Sequence, residues 1–232
     1  MSAPPPSRRE VLTLGLVVGA GLLVSMGLQN LPRSARRLTL TPIVRAVLND
    51  LGSPQVGATD ADVTIVVFTD YQCPICKITD PALERLIATD PKVRVIFKDW
   101  PIFGEQSKAA ARAVLAADRQ GKYLAFHHGL MAARVRLEPD QIQRIAVAAG
   151  VDWPRLQRDE AVSRPQLDRQ LGKHATQAWT LGLEGTPAYL VGPYLFEGGL
   201  DERHLAQAVR RARKAGPIAY PPDVATEAAG SR

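Results

Sequence analysis

The chain has 232 residues, is 46% hydrophobic and 22% charged, and carries a formal net charge of +6. That is enough apolar matter for one well-cored domain, and too much for a disordered or fibrous chain. The positive charge is not a nucleic-acid signature: five of the 29 basic and one of the 23 acidic residues precede Leu38, leaving 24 against 22, a net of +2, so no nucleic-acid partner is expected.

Ser7-Arg8-Arg9-Glu10 precede a charge-free run from Val11 to Leu28. A basic segment before an uncharged apolar stretch is the export pattern. Adjacent arginines after a serine resemble a twin-arginine signal; an ordinary Sec signal is the other reading. The run of about 18 residues stands at the lower edge of a membrane span, and Ser25-Met26-Gly27 is a small-x-small cleavage site. Residues 1–37 are therefore read as an export signal or an N-terminal membrane anchor, oriented N-in, and the rest as lying outside the cytoplasm.

Residues 38–60 are polar and turn-rich around a short apolar helix from Ile43 to Leu48 and read as an approach segment. Asp62 to Phe68 is β-branched and almost continuously apolar, which predicts a strand buried on both faces. A helical pattern follows Cys76 through Leu83, Leu86 and Ile87, with Pro81 expected to kink or restart it. Val93 to Lys98 predicts a second strand, parallel to the first across a right-handed βαβ crossover. From Glu105 to Leu183 no strand is evident, only helical stretches punctuated by Gly121, Pro139, Gly150, Pro154 and Pro165. Thr186 to Val191 and Tyr194 to Phe196 predict a hairpin turning at Gly192-Pro193, and Glu202 to Lys214 a last helix. Its basic end, Arg210 to Lys214, reads as a solvated terminus complementing the helix dipole. Residues 216–232, with Pro217, Pro221 and Pro222, read as a disordered tail.

The chain's two cysteines, Cys73 and Cys76, form a Cys-Pro-Ile-Cys turn between predicted strand and helix. Two cysteines placed at random fall three apart about one time in a hundred, so the spacing is informative. At a helix N-terminus the dipole and unpaired N–H groups favour thiolate, making Cys73 the nucleophile, while Cys76 is placed to resolve a mixed disulfide. Zinc wants four ligands, and no second Cys-x-x-Cys or Cys/His cluster is present, so no metal site is expected. His127-His128, His174 and His204 have no motif geometry and read as core or surface residues. Trp100, Phe103 and Trp179 are candidates for a client-gripping face, or for core.

In their order and spacing, Val47-Leu48-Asn49-Asp50, Phe68 to Lys77, Val95 to Pro101, Gly121-Lys122-Tyr123, Leu130 to Ala133 and Gly185-Thr186-Pro187-Ala188-Tyr189 resemble exported DsbA-like thiol:disulfide oxidoreductases of the thioredoxin superfamily. The resemblance implies an α/β thioredoxin fold over residues 61–215 with an inserted helical subdomain at about 105–183. It implies catalytic Cys73 and Cys76, tuned by Pro74 and Ile75. Pro187 is implied as a cis-proline beside the sulfurs, leaving the Thr186 backbone free to pair with an extended client. It also implies a periplasmic enzyme exchanging disulfides with protein clients, regenerated by a membrane redox partner. No cofactor is implied. The reductase or isomerase direction of the same chemistry, and a Cu(I) carrier using the cysteine pair, stand as alternatives.

Two departures from that family are visible. The acidic residue usual six positions before the first cysteine is here Val67, so Cys76 should lose its proton through water or Asp70, with slower exchange and a milder pH dependence. Lys98, which the resemblance puts near the same spot, is expected to turn outward or pair with Asp99. Ile75 stands where a histidine can donate to the thiolate, so Cys73 should be less acidic than in the strongest oxidants, within the range of about 3.5 to 7.

Overall fold

The computed structural model describes residues 35–216. The leader readings at 1–34 and the tail at 217–232 lie outside the described residues. Six strands form one mixed sheet: β1 (Arg36–Arg37), β2 (Gln55–Gly57), β3 (Val63–Thr69), β4 (Val93–Asp99), β5 (Ala188–Val191) and β6 (Tyr194–Glu197), ordered β1-β6-β5-β3-β4-β2. The helices are α1 (Pro42–Leu48), α2 (Pro74–Thr89), α3 (Glu105–Asp118), α4 (Tyr123–Ala132), α5 (Pro139–Ala148), α6 (Trp153–Thr180) and α7 (Glu202–Lys214).

All seven residues of β3 are buried, as its β-branched run requires for a central strand. It pairs in parallel with β4, from Val63 opposite Val93 to Thr69 opposite Asp99, and antiparallel with β5. Side chains alternate across the pleat. Ile65, Val67, Val95 and Phe97 pack toward Leu83 of α2 and Leu205 of α7, whereas Val66, Phe68 and Ile96 pack toward Val47 and Leu48 of α1 and Ala178 of α6. The predicted βαβ unit, the hairpin and the final helix are all present. Among the described residues no helix is long and apolar enough to cross a membrane.

Residues 38–60 are more than an approach: α1 and β2 belong to the same compact unit as the rest, and β1, inside the stretch assigned to the leader, pairs with β6. Such short strands form because the sheet edge offers partners, not because of local propensity. Neither Pro81 nor Pro165 restarts a helix; α2 and α6 run on past them. Pro139 and Pro154, by contrast, occupy the first turns of α5 and α6, where the missing N–H costs nothing. The basic end of α7 is not merely solvated: Arg213 bonds Asp62 at 2.9 Å and Asp90 at 2.7 Å, and Arg211 lies 4.3 Å over the Tyr194 ring.

Candidate redox site

Cys73 caps the N-terminus of α2. Its backbone is extended (φ −73°, ψ 117°), Pro74 fills the first helical position, and the Cys76 N–H donates to Cys73 Sγ at 3.2 Å. Both thiols are free, and both residues are buried. As a thiol, Cys73 donates to the Thr186 carbonyl at 3.3 Å, and the Thr186–Pro187 bond is cis, as the resemblance implied. The six sequence-selected residues thus fall in two groups: Cys73, Pro74, Ile75 and Cys76 on the first turn of α2, with Thr186 and Pro187 ahead of β5.

The two sulfurs are driven apart electrostatically. The hydrogen bond from the Cys76 thiol is the main influence lowering Cys73 to about 6; burial opposes it, and the Cys76 N–H adds to it. Burial first, then the Cys73 sulfur, pushes Cys76 far above its ordinary value. At neutral pH the reduced pair therefore holds one thiolate, on Cys73, and one thiol.

The ground beneath the sulfurs is uncharged. Val67 is buried opposite Phe97, in the same apolar cluster as both cysteines. Lys98 is not beside it, nor outward, nor paired with Asp99. One residue along β4 from Phe97, it points to the other face, is 0% exposed, and bonds the Asp50 carboxylate and, at 2.9 Å, Ser53 Oγ. Burial pulls Lys98 down to about 8 against the attraction of Asp50. Asp70 is also committed. Its carboxylate accepts from the N–H groups of Gln72, Ile102 and Phe103 at 2.7, 2.7 and 3.0 Å and from Ser107 Oγ at 2.6 Å, fixing the loop after β4.

A polar network unread in the sequence lies on the α2 face. Tyr71 and Tyr123 donate to Asp99, whose pKa burial raises to about 6; His127 Nδ1 meets Tyr71 Oη at 3.0 Å, and its Nε2 meets Asp80 Oδ1 at 3.0 Å. The available signal was spacing, since Asp80 lies four residues after Cys76 and so on its side of α2. His174 is satisfied in the core by Ser53 and the Asp99 carbonyl, and His204 lies against Asp201.

Apolar side chains stand exposed around the redox turn. Ile75 and Ile78 come from α2, Ile102 and Phe103 from the loop fixed by Asp70, and Val135 from the segment after α4. A groove of about 310 Å³ between Pro74, Ile78 and Val135 is edged by Lys77, Arg134 and Arg136. Trp100 is core, and Trp179 is exposed at the end of α6.

Residues 64–210 match the model of the DSBA-like thioredoxin domain. The chain belongs to that family. A thioredoxin-like oxidoreductase from Silicibacter pomeroyi is 40% identical, with a TM-score of 0.70 over 74% of this chain and 98% of its own. The thiol-disulfide exchange protein alpha-DsbA2 of Wolbachia pipientis is 28% identical, with a TM-score of 0.69 over 72% and 90%. A Na(+)/H(+) antiporter NhaA 1 of Mycolicibacterium gilvum is 28% identical over 160 residues, which cover 68% of this chain and 26% of the antiporter. The chain thus spans about a quarter of the length of the first curated relatives it matches.

Proposed function

We propose that this chain is an exported thiol:disulfide oxidoreductase that exchanges disulfides with protein clients in the periplasm through Cys73 and Cys76. The observation that carries the reading is the asymmetry of the pair: an acidic Cys73 at the start of α2, hydrogen-bonded to Cys76 and to the carbonyl before Pro187. In the oxidative direction a client thiolate attacks Cys73 Sγ of the closed disulfide. The S–S electron pair goes to Cys76, which takes up a proton, and a mixed disulfide forms. A second client thiolate then attacks the client sulfur, leaving the client oxidised and Cys73 as thiolate. A membrane oxidant removes the two electrons and reforms the bond. The Thr186 backbone pairs with the client strand, and the apolar rim from Ile75 to Phe103 grips it.

A Cys73 thiol of about 6 stands between the strong oxidant and the reductant of this superfamily. The pair should therefore poise between about −270 and −120 mV. Equilibration against glutathione measures this, with oxidation of reduced ribonuclease as the activity assay. Cys73→Ser retaining full activity, or a potential below the thioredoxin end, would overturn the oxidative reading. The leader reading is tested apart, by the periplasmic yield of a reporter fused to residues 1–37 when Arg8 and Arg9 are changed to lysine. Lost export supports the twin-arginine route.

A further inference from the structure

We propose that Asp80, His127, His128 and Glu84 form a binding site for one borderline divalent cation of the zinc class, which clips the redox helix α2 to α4. Asp80 and Glu84 stand one turn apart on α2, and the two histidines are adjacent on α4. The ligand atoms of Asp80, His127 and His128 all lie within 4.8 Å of one another. Asp80 Oδ1 is 3.0 Å from His127 Nε2, Asp80 Oδ2 is 3.5 Å from His128 Nδ1, and Glu84 Oε2 is 3.8 Å from that same nitrogen. Tetrahedral zinc with bonds near 2.0–2.2 Å needs ligand atoms about 3.3 Å apart, so Asp80, His127 and His128 close on such an ion with small adjustments, and Glu84, outside that mutual group, swings in beside His128 as the fourth ligand.

One further feature points to a cation, and the setting of His127 suits it. His128 Nδ1 is shielded from solvent and makes no hydrogen bond, although two carboxylates stand nearby. Tyr71 uses its only proton on Asp99 at 2.8 Å, so it must receive the Nδ1–H of His127 at 3.0 Å. The ring's other nitrogen, Nε2, faces Asp80 Oδ1 at 3.0 Å. A divalent cation seated there would be shared by the imidazole nitrogen and the carboxylate, in the place a proton takes in an imidazolium–carboxylate pair. The Tyr71–Asp99 pair then orients the imidazole from behind, as outer-shell groups do at metal sites. Two imidazoles and two carboxylates suit zinc, with copper(II) the stronger competitor in the divalent series.

The test uses the full chain without a histidine tag and with the Cys73–Cys76 disulfide closed, so that no thiolate can ligate. Titration with zinc chloride in a calorimeter should show one ion per chain, and the unfolding midpoint should rise with zinc concentration. His128→Ala should lose affinity on the order of tenfold or more, Glu84→Gln less, and His204→Ala none. Absence of saturable binding by the oxidised protein would leave a buried imidazolium–carboxylate pair and overturn the site. Binding unchanged by His128→Ala would do the same.

Discussion

The two faces of the central sheet handle charge in opposite ways. Under α2, the face that carries both sulfurs presents Val67 and Phe97, and its acids Asp99 and Asp80 are engaged by Tyr71 and His127. On the α1 side, Lys98, Asp50, Ser53 and His174 form a buried ionic cluster, to which the exposed Lys173 adds a second cation on Asp50 at 2.8 Å. A single step along β4 separates the two regimes. The contrast teaches that acidity at Cys73 comes from the helix start and from Cys76, while Lys98 serves the fold. The two sites should therefore respond to mutation independently.

The strongest attempt to break this separation is Lys98→Met. It removes one partner of a buried pair and leaves the exposed Lys173 as the cation on Asp50, which should cost about 3–5 kcal/mol in urea unfolding. Adding Asp50→Leu should recover most of that loss. Cys73 should still titrate near 6, read from thiolate absorbance, and a moved midpoint would join the two faces.

Val67→Glu tests the uncharged side. The new carboxyl enters an apolar cluster beside Phe97, so we expect a loss on the order of 3 kcal/mol, together with faster exchange at Cys76 and a steeper pH dependence. Unchanged exchange rates would show that the missing acid is irrelevant here.

A pH series sharpens the ionic side. Burial, then the Lys98 charge, lowers His174 to about 3 from an ordinary 6.5. Because the folded value lies below the unfolded one, this contribution is complete above pH 6.5 and is lost as pH falls toward 3. Between pH 7 and 5 it should remove about 2 kcal/mol, and His174→Gln should flatten that limb. The Oγ of Ser53 and the carbonyl of Asp99 hold the ring in place, and Lys98, Asp50 and Lys173 are the charges around it. The smallest effect is reserved for Ile75→His, which offers the Cys73 thiolate a donor. Its titration should fall by about one unit, roughly 1.4 kcal/mol, with iodoacetamide reactivity following the same curve and stability hardly altered.

Much of this arrangement was legible in the sequence because it is local. A β-branched run, a Cys-x-x-Cys turn, a Gly-Pro hairpin and an amphipathic final helix each leave their own periodicity. The placement of Lys98 was not legible. A strand's side chains alternate, but which face a lysine takes depends on register against β3, and its partner Asp50 lies 48 residues away. The edge strands were missed for the same reason, as was the Tyr71–Asp99–His127–Asp80 network, whose members come from four separate segments. Pro165 opened no new helix and Pro81 did not restart one, because a proline weakens a helix locally, whereas packing on both sides of it decides whether the helix goes on.

Those edge strands carry one more consequence. An open sheet border invites any extended segment to add itself and propagate. Here one border is two arginines, Arg36–Arg37, and the other is Gln55–Gly57, which ends on a left-handed glycine (φ 103°) whose Cα lies so close to the Val93 carbonyl that a Cβ would sit 2.2 Å from it. Among the described residues neither border is long enough to seed a ladder, so the sheet closes itself against addition without needing a further element to cover its edges.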